Sequence, residues 1–275
     1  EAACFAVAAP VESGVARVTN LPWIISEKEL VNYLHAPKVK LINDFVAASY
    51  GISELQDADM LVLQQGLVAD EMSAHPDAAI IGAGTGFGVS HRVWLNDHYQ
   101  VFSSEAGHAG FAPENAEQSE LLTWMQKKQP HVSLEMVLSG KGLITIYDFL
   151  HDAIGVPESW HVKQAMQKTD PAQAITEYGL LGSDALCQKT LEVFIDIYGA
   201  ASSNVALYYY PVTELYIAGG IAPKIKDKML GQRFIDAFVN KGIMSSNMEK
   251  ITIKLIMQEK AGLYGALSRA RMLLV

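Results

Sequence analysis

Apolar residues recur at every second position in some stretches and at every third or fourth in others, and the switches between these periods divide the chain into elements. Residues 3 to 9 and 15 to 19 read as strands around "VESG", whose Ser13-Gly14 supplies a turn, so a hairpin is expected there. Ser26, with Glu29 three positions on, predicts a capping box before the helical run "LVNYLH", and Pro37 ends that helix before the strand "KVKLIN". A short helix then runs to about Gly51. Strands follow at 60 to 64 and 78 to 82, and "VSHRVWLNDHYQVF" alternates around Asn96-Asp97 as an antiparallel hairpin. The second half is mainly helical. "NAEQSELLTWMQKK", "SLEMVL", "GLITIYDFLHDA", a helix capped by Asp170-Pro171, and the stretch from Ser183 to about Tyr210 all carry that spacing. "ELYIAGG" and "ITIKLIM" read as strands, "RFIDAFVN" and "AGLYGALSRARML" as helices. Strands alternating with helices, plus one clear hairpin, predict a mixed α/β chain.

Composition narrows the function classes. Half of the 275 residues are apolar and there is no low-complexity tract, so the chain can build a large core. A net charge of −9, with no basic cluster beyond Lys127 and Lys128, argues against a nucleic-acid or anionic-membrane surface and favours small-molecule partners. The two cysteines, Cys4 and Cys187, lack disulfide or zinc spacing, which fits a reducing compartment. No apolar run reaches the roughly 20 residues of a membrane span, so cytoplasm is the expectation.

Three stretches carry candidate chemistry. In "LINDFVAASYGI", Asn43 and Asp44 stand at the joint between a strand and a helix. A carboxylate in an apolar setting is costly, so Asp44 either caps the helix or does chemistry. In "IGAGTGFGVS", glycines at 82, 84, 86 and 88 follow an apolar strand, but Phe87 and Val89 break the dinucleotide fingerprint. Lys141 in "SGKG" does not complete a Walker A loop either. What remains is a turn around Thr85 that either cradles phosphate with backbone N–H groups or is a tight β-turn needing glycine. In "FSSEAGHAGFAP", Glu105 and His108 sit three apart among small residues. They are either solvated surface or a mixed donor and acceptor set for sugar hydroxyls. Glu135 opens the "SLEMVLSG" element, where a first-turn glutamate also simply suits the helix dipole.

"LINDFVAASYGI", "IGAGTGFGVS", "SSEAGHAGFAP", "SLEMVLSGKGL" and "LYIAGGIAP" occur in the order and approximate spacing of the bacterial glucokinase family, which the chain resembles over essentially its whole length. The resemblance implies the actin-like ATPase (ribonuclease H-like) fold of hexokinases, two α/β domains around a cleft. The small one would comprise residues 1–54 and 259–275, the large one 55–258. It implies transfer of phosphate from ATP, with Mg2+, to the 6-hydroxyl of glucose, the first step of glycolysis. Asn43, Asp44, Glu105, His108 and Glu135 match the family's sugar-binding set, with Asp44 as catalytic base. Gly84, Thr85 and Gly86 match its second phosphate loop, and Gly219, Gly220 and Ile221 its nucleoside-binding turn. No residue is assigned to metal, and a homodimer is compatible with the family. The related repressor and sugar-kinase group, with its cysteine-rich zinc motif, is not matched. The family's opening strand and Asp-x-Gly-Gly-Thr phosphate loop are not in this sequence, which begins at Glu1 about where the third strand would lie. The small domain is therefore expected to be N-terminally incomplete, and a hexose-binding fragment or remnant without phosphoryl transfer stays open as the alternative.

Overall fold

The computed structural model describes residues 1–18, 21–66 and 74–274. The chain opens with β1 (Ala2–Val7), β2 (Val11–Glu12), β3 (Val15–Arg17) and β4 (Ile24–Ser26), then α1 (Glu27–Leu34), β5 (Lys38–Asn43) and α2 (Asp44–Gly51). Strands β6 (Met60–Gln64), β7 (Ala78–Ala83), β8 (Phe87–Leu95) and β9 (His98–Ser104) follow. Next come α3 (Ala116–Gln126), α4 (Gly140–Asp152), α5 (Trp160–Met166), α6 (Pro171–Leu181) and α7 (Ala185–Tyr208). The chain closes through β10 (Glu214–Ala218), α8 (Lys226–Met229), α9 (Gln232–Val239), α10 (Ser245–Met248), β11 (Thr252–Ile256) and α11 (Ala261–Met272).

The expected first hairpin is corrected. β1 pairs in parallel with β5, from Ala2 opposite Lys38 to Val7 opposite Asn43. The turn at Ser13-Gly14 joins only β2 to β3, and β4 completes that small sheet. Pro10 lies between β1 and β2 and has no N–H for a ladder, so the pairing breaks there. Residue 19, the expected strand end, lies outside the described residues. Ser26 does stand at the N-cap of α1, but its side chain makes no capping bond, so the predicted box is not formed. The Glu27 carboxylate instead accepts from Leu41 N at 2.8 Å and pairs with Lys40 at 3.2 Å, tying α1 to β5.

The main sheet has the order β6-β11-β10-β7-β8-β9. β10 is parallel to both its neighbours, and the other pairs are antiparallel. The predicted hairpin β8–β9 forms, with Asn96 and Asp97 both at positive φ, as a tight two-residue turn requires. "SLEMVL" is a 3-10 turn, Leu134–Met136, rather than a helix. Helices α5, α8 and α10 were not predicted, because four to seven residues are too few to establish a helical period.

Alternation along the central strands gives the sheet two different faces. Ala79, Ile81, Phe87, Val89, Leu215 and Ile217 face the large core built with α4, α6, α7 and α9. Ala78, Ile80, Tyr216 and Ala218 face the other way, toward Phe45, Ile52 and Ala261 of α2, its following turn and α11. The two helices on that second face pack backbone to backbone. A Cβ added at Gly265 would run into Ala47 O, and one added at Gly51 would run into Ala261 O. Ala47 is fully buried between them.

Gly265→Ala should therefore force α2 and α11 apart and destabilise the protein by about 1–3 kcal/mol, the usual cost of overpacking. Leu263→Ala, on the exposed face of α11 at 66% accessibility, should stay within about 0.5 kcal/mol. Thermal or urea unfolding of the two variants checks the contrast.

Candidate functional site

The joint at Asn43 and Asp44 divides two roles between neighbours. Asn43 is the N-cap of α2: its Oδ1 accepts from Phe45 N at 2.9 Å and Val46 N at 3.2 Å. Asp44 is thus the first helical residue and not the cap, which corrects that alternative. Its carboxylate reaches solvent in a cleft and accepts from Phe45 N at 2.8 Å. Desolvation by the surrounding walls raises its pKa above the ordinary carboxylate value, and the Phe45 N–H hydrogen bond opposes part of that rise.

Phe45 sets where this carboxylate stands. Its ring lies on the main sheet where β7 and β8 have no side chains: a Cβ at Gly82 would come 2.7 Å from it, and one at Gly88 2.6 Å. Gly82 and Gly88 are paired across the two strands, so the ring lies on the root of the glycine turn. Within that turn Gly84 N donates to Gly86 O at 2.8 Å, and Gly84 O accepts from Gly140 N, at the start of α4, at 2.9 Å. Thr85 is exposed at the tip. The second turn, after β10, is attached to the first. Ile221 N donates to Ala83 O at 3.2 Å, and Gly219 adopts φ +84, where a Cβ would strike the same carbonyl. A cleft of about 580 Å³ opens between the start of α2, the turn after β10 and the start of α11, lined among others by Asp44, Phe45, Gly219, Gly220, Lys224 and Gln258.

The remaining candidates gather around the backbone of Phe87. Glu135 Oε2 accepts from Phe87 N at 3.0 Å and lies 2.5 Å from where a Cβ of Gly86 would be. Gly107, between Glu105 and His108, packs directly on Phe87 O. The Glu105–His108 turn is strapped to the segment before Glu135: Leu134 N donates to Ala109 O and Phe111 N to Val132 O, both at 2.9 Å. Glu105 and His108 are exposed, with carboxylate and imidazole 4.0 Å apart. The structure thus brings Glu105, His108 and Glu135 to one end of β8, and Phe45 links Asp44 to the same end. Bonding to Phe87 shows Glu135 doing more than complementing a helix dipole.

A family model described as glucokinase matches residues 1–272. The glucokinase of Trichormus variabilis is 42% identical over 279 residues, a match covering 97% of this chain and 80% of that protein. The chain belongs to the glucokinase family. The crystal structure of a glucokinase from an Antarctic psychrotroph superposes with a TM-score of 0.82 at 31% identity, over 98% of this chain and 80% of that one. The glucokinase of Balamuthia mandrillaris, solved in complex with glucose, superposes with a TM-score of 0.81 at 22% identity, covering 98% and 78% of the two chains. This member of the glucokinase family is a hexokinase-type kinase with the actin-like ATPase fold.

Two parts of the site in this glucokinase-family chain escaped the sequence reading. Lys141, weighed only against a Walker A loop, lines a cavity of about 430 Å³ with Thr85, Glu135, Ser139 and Lys128. "SGKG" offered a signal, since Ser139 is the N-cap of α4 and places Lys141 in its first turn. Phe45 looked like an ordinary core aromatic, and only the pairing of Gly82 with Gly88 shows otherwise. Among the described residues no group of three or more His, Cys, Asp or Glu is placed to hold a metal ion, and no helix is long and apolar enough to cross a membrane. A cavity of about 830 Å³ beside Glu114, Asp196 and Arg233 contains none of the predicted site residues.

Glu135→Ala should release the Phe87 N–H, and Gly86→Ala should displace the carboxylate from it by crowding. Amide hydrogen exchange at Phe87 should speed up in both variants. An unchanged rate in Glu135→Ala would mean that this bond does not protect the amide.

Proposed function

We propose that the chain transfers the γ-phosphoryl group of ATP to the 6-hydroxyl of glucose, with Asp44 as general base. The observation that carries this reading is the division of labour at the start of α2. Asn43 does the capping, and Asp44 is left with a partly desolvated carboxylate in the cleft that it lines together with the glycine turn after β10.

Glucose is held by Asn43, Asp44, Glu105, His108 and Glu135. Carboxylates accept from sugar hydroxyls, and the imidazole donates or accepts. The phosphates of ATP lie on the turn at Gly84, Thr85 and Gly86. Thr85 and Gly86 offer backbone N–H groups and Thr85 a hydroxyl, while Gly84 N is bonded within the turn, and Lys141 adds positive charge beside Thr85. The nucleoside rests on Gly219, Gly220 and Ile221, where the open backbone leaves room for it. Asp44 orients the 6-hydroxyl and takes its proton as the oxygen attacks the γ-phosphorus in line, while the bond from that phosphorus to the β-phosphate oxygen breaks and ADP leaves. Transfer of this kind has a loose transition state, so positioning and charge stabilisation do most of the catalysis. Magnesium enters as part of the nucleotide substrate, held by its phosphates with few protein ligands. Residues 1–54 with 259–275 and residues 55–258 are the two domains around the site. In this reading the reaction stands at the head of glycolysis in the cytoplasm, and the working unit is a homodimer.

Asp44→Asn should lower kcat by about 10² to 10⁴ while glucose binding is largely kept, as measured by a coupled assay and isothermal titration. Near-parental turnover would remove Asp44 from the mechanism. The base works only as carboxylate, and burial raises its pKa, so activity should fall on acidification through a value above the roughly 4 of an ordinary Asp. The same rise means the folded state binds the Asp44 proton more tightly than the unfolded chain does. Asp44 therefore costs stability above its folded pKa and costs none below the unfolded one, so Asp44→Asn should melt no lower than the parent at pH 7.

Glu105→Ala and His108→Ala should each weaken glucose binding, by about 1.5–3 kcal/mol where the lost bond involves a charged group, and leave ATP-analogue binding nearly unchanged. Titration with each ligand separately checks this. Loss of nucleotide binding with full glucose binding would reassign the loop.

A further inference from the structure

Helix α2 meets strand β8 at three successive positions. Phe45 lies over Gly88, Ser49 Oγ lies 2.6 Å from Ser90 Oγ, and Arg92 Nη1 donates to Ser53 Oγ at 3.3 Å. Ser53 belongs to the 3-10 turn Ile52–Glu54 that continues α2. The helical partners advance by four residues and the strand partners by two. Four helical residues rise about 6 Å and two strand residues about 6.6 Å, so the two repeats stay in step across the contact.

The middle contact is polar although both hydroxyls are fully buried. Two methyl groups there would tolerate sliding, whereas two hydroxyls bond only within a narrow range of distance and angle. Ser49 Oγ also lies 2.9 Å from Phe45 O. Its single proton goes to that carbonyl, so Ser90 is the donor to Ser49. A line of hydrogen bonds thus runs from β8 to the residue beside Asp44.

The far contact is anchored by charge. Arg92, only 4% exposed, also donates to Tyr216 OH at 3.5 Å and lies 4.0 Å over the Tyr99 ring. Tyr216 OH donates to Glu214 at 2.5 Å, and Glu214 accepts from Lys254 at 2.6 Å. The end of α2 is therefore tied to β8, β10 and β11 together.

We infer that Ser49, Ser90 and Arg92 are positioning residues for phosphoryl transfer: they hold α2 at one register along β8 and thereby set the height of the Asp44 carboxylate above the glycine turns. The inference rests on Asp44 being the base. None of the three lines the cleft of Asp44, so they act on the alignment of the base and not on substrate contacts.

The test compares Ser49→Ala, Ser49→Ala/Ser90→Ala and Asp44→Asn in the full-length protein by melting temperature, kcat and KM for glucose. Ser49→Ala strands the Ser90 hydroxyl and lowers the melting temperature, and adding Ser90→Ala removes the stranded group and restores most of it. In both serine variants kcat falls about 10- to 100-fold, the scale of a misplacement near 1 Å, with little change in KM. If kcat recovers together with stability in the double variant, the hydroxyls only hold the fold together and the inference is overturned. If Asp44→Asn is nearly as active as the parent, the base reading falls and takes the inference with it. A slow Asp44→Asn beside a fully active double variant overturns the inference alone.

Discussion

Backbone contact between α2 and α11 is the constraint on which the site depends. Ala47 and Gly51 on one helix meet Gly265 and Ala261 on the other with no room for a further carbon. Helices that close behave as one rigid pair, because a packed contact without side-chain slack transmits displacement instead of absorbing it. The pair lies on one face of the main sheet, so the start of α2 has a defined place relative to the turns after β7 and β10.

The sheet accommodates the pair by giving up side chains. On the face toward α2, β8 carries Gly88, Ser90 and Arg92, and β7 carries Gly82, whereas the opposite face is packed with Phe87, Val89 and Ile81. Missing side chains let the Phe45 ring, next in sequence to Asp44, sit on the backbone where the glycine turn begins. Packing, loop geometry and placement of the carboxylate are three results of one pattern of small residues.

Charge is distributed with the same logic. The buried Arg92 bonds Ser53 and Tyr216 and lies over the Tyr99 ring, while the half-buried Lys254 pairs with Glu214. This offsets only part of the cost of burying Arg92, whose Nε has no hydrogen-bond partner among the described residues. The pKa of the Asp44 carboxyl is pushed upward by desolvation, against hydrogen bonds from the Phe45 amide, its own amide and the Asn43 side chain.

Much of this could be read along the chain. The strands at 60 to 64 and 78 to 82, the hairpin at Asn96-Asp97, the cap at Asp170 and the long helix α7 follow from local period and turn chemistry, which act between residues close in sequence. The five motifs likewise identified the family to which the chain belongs. Pairing of β1 with β5 could not be read, because the choice between a near hairpin and a distant parallel partner is made by tertiary packing, here against α11 and α2. The box at Ser26 and Glu29 also fails to form. That Asn43 and not Asp44 caps α2, that Glu135 binds Phe87, and that Ser49 meets Ser90 are facts of juxtaposition. Sequence names the groups able to make such bonds, but distances of 2.6 to 3.0 Å between residues some 40 positions apart are set only when helices and strands have packed.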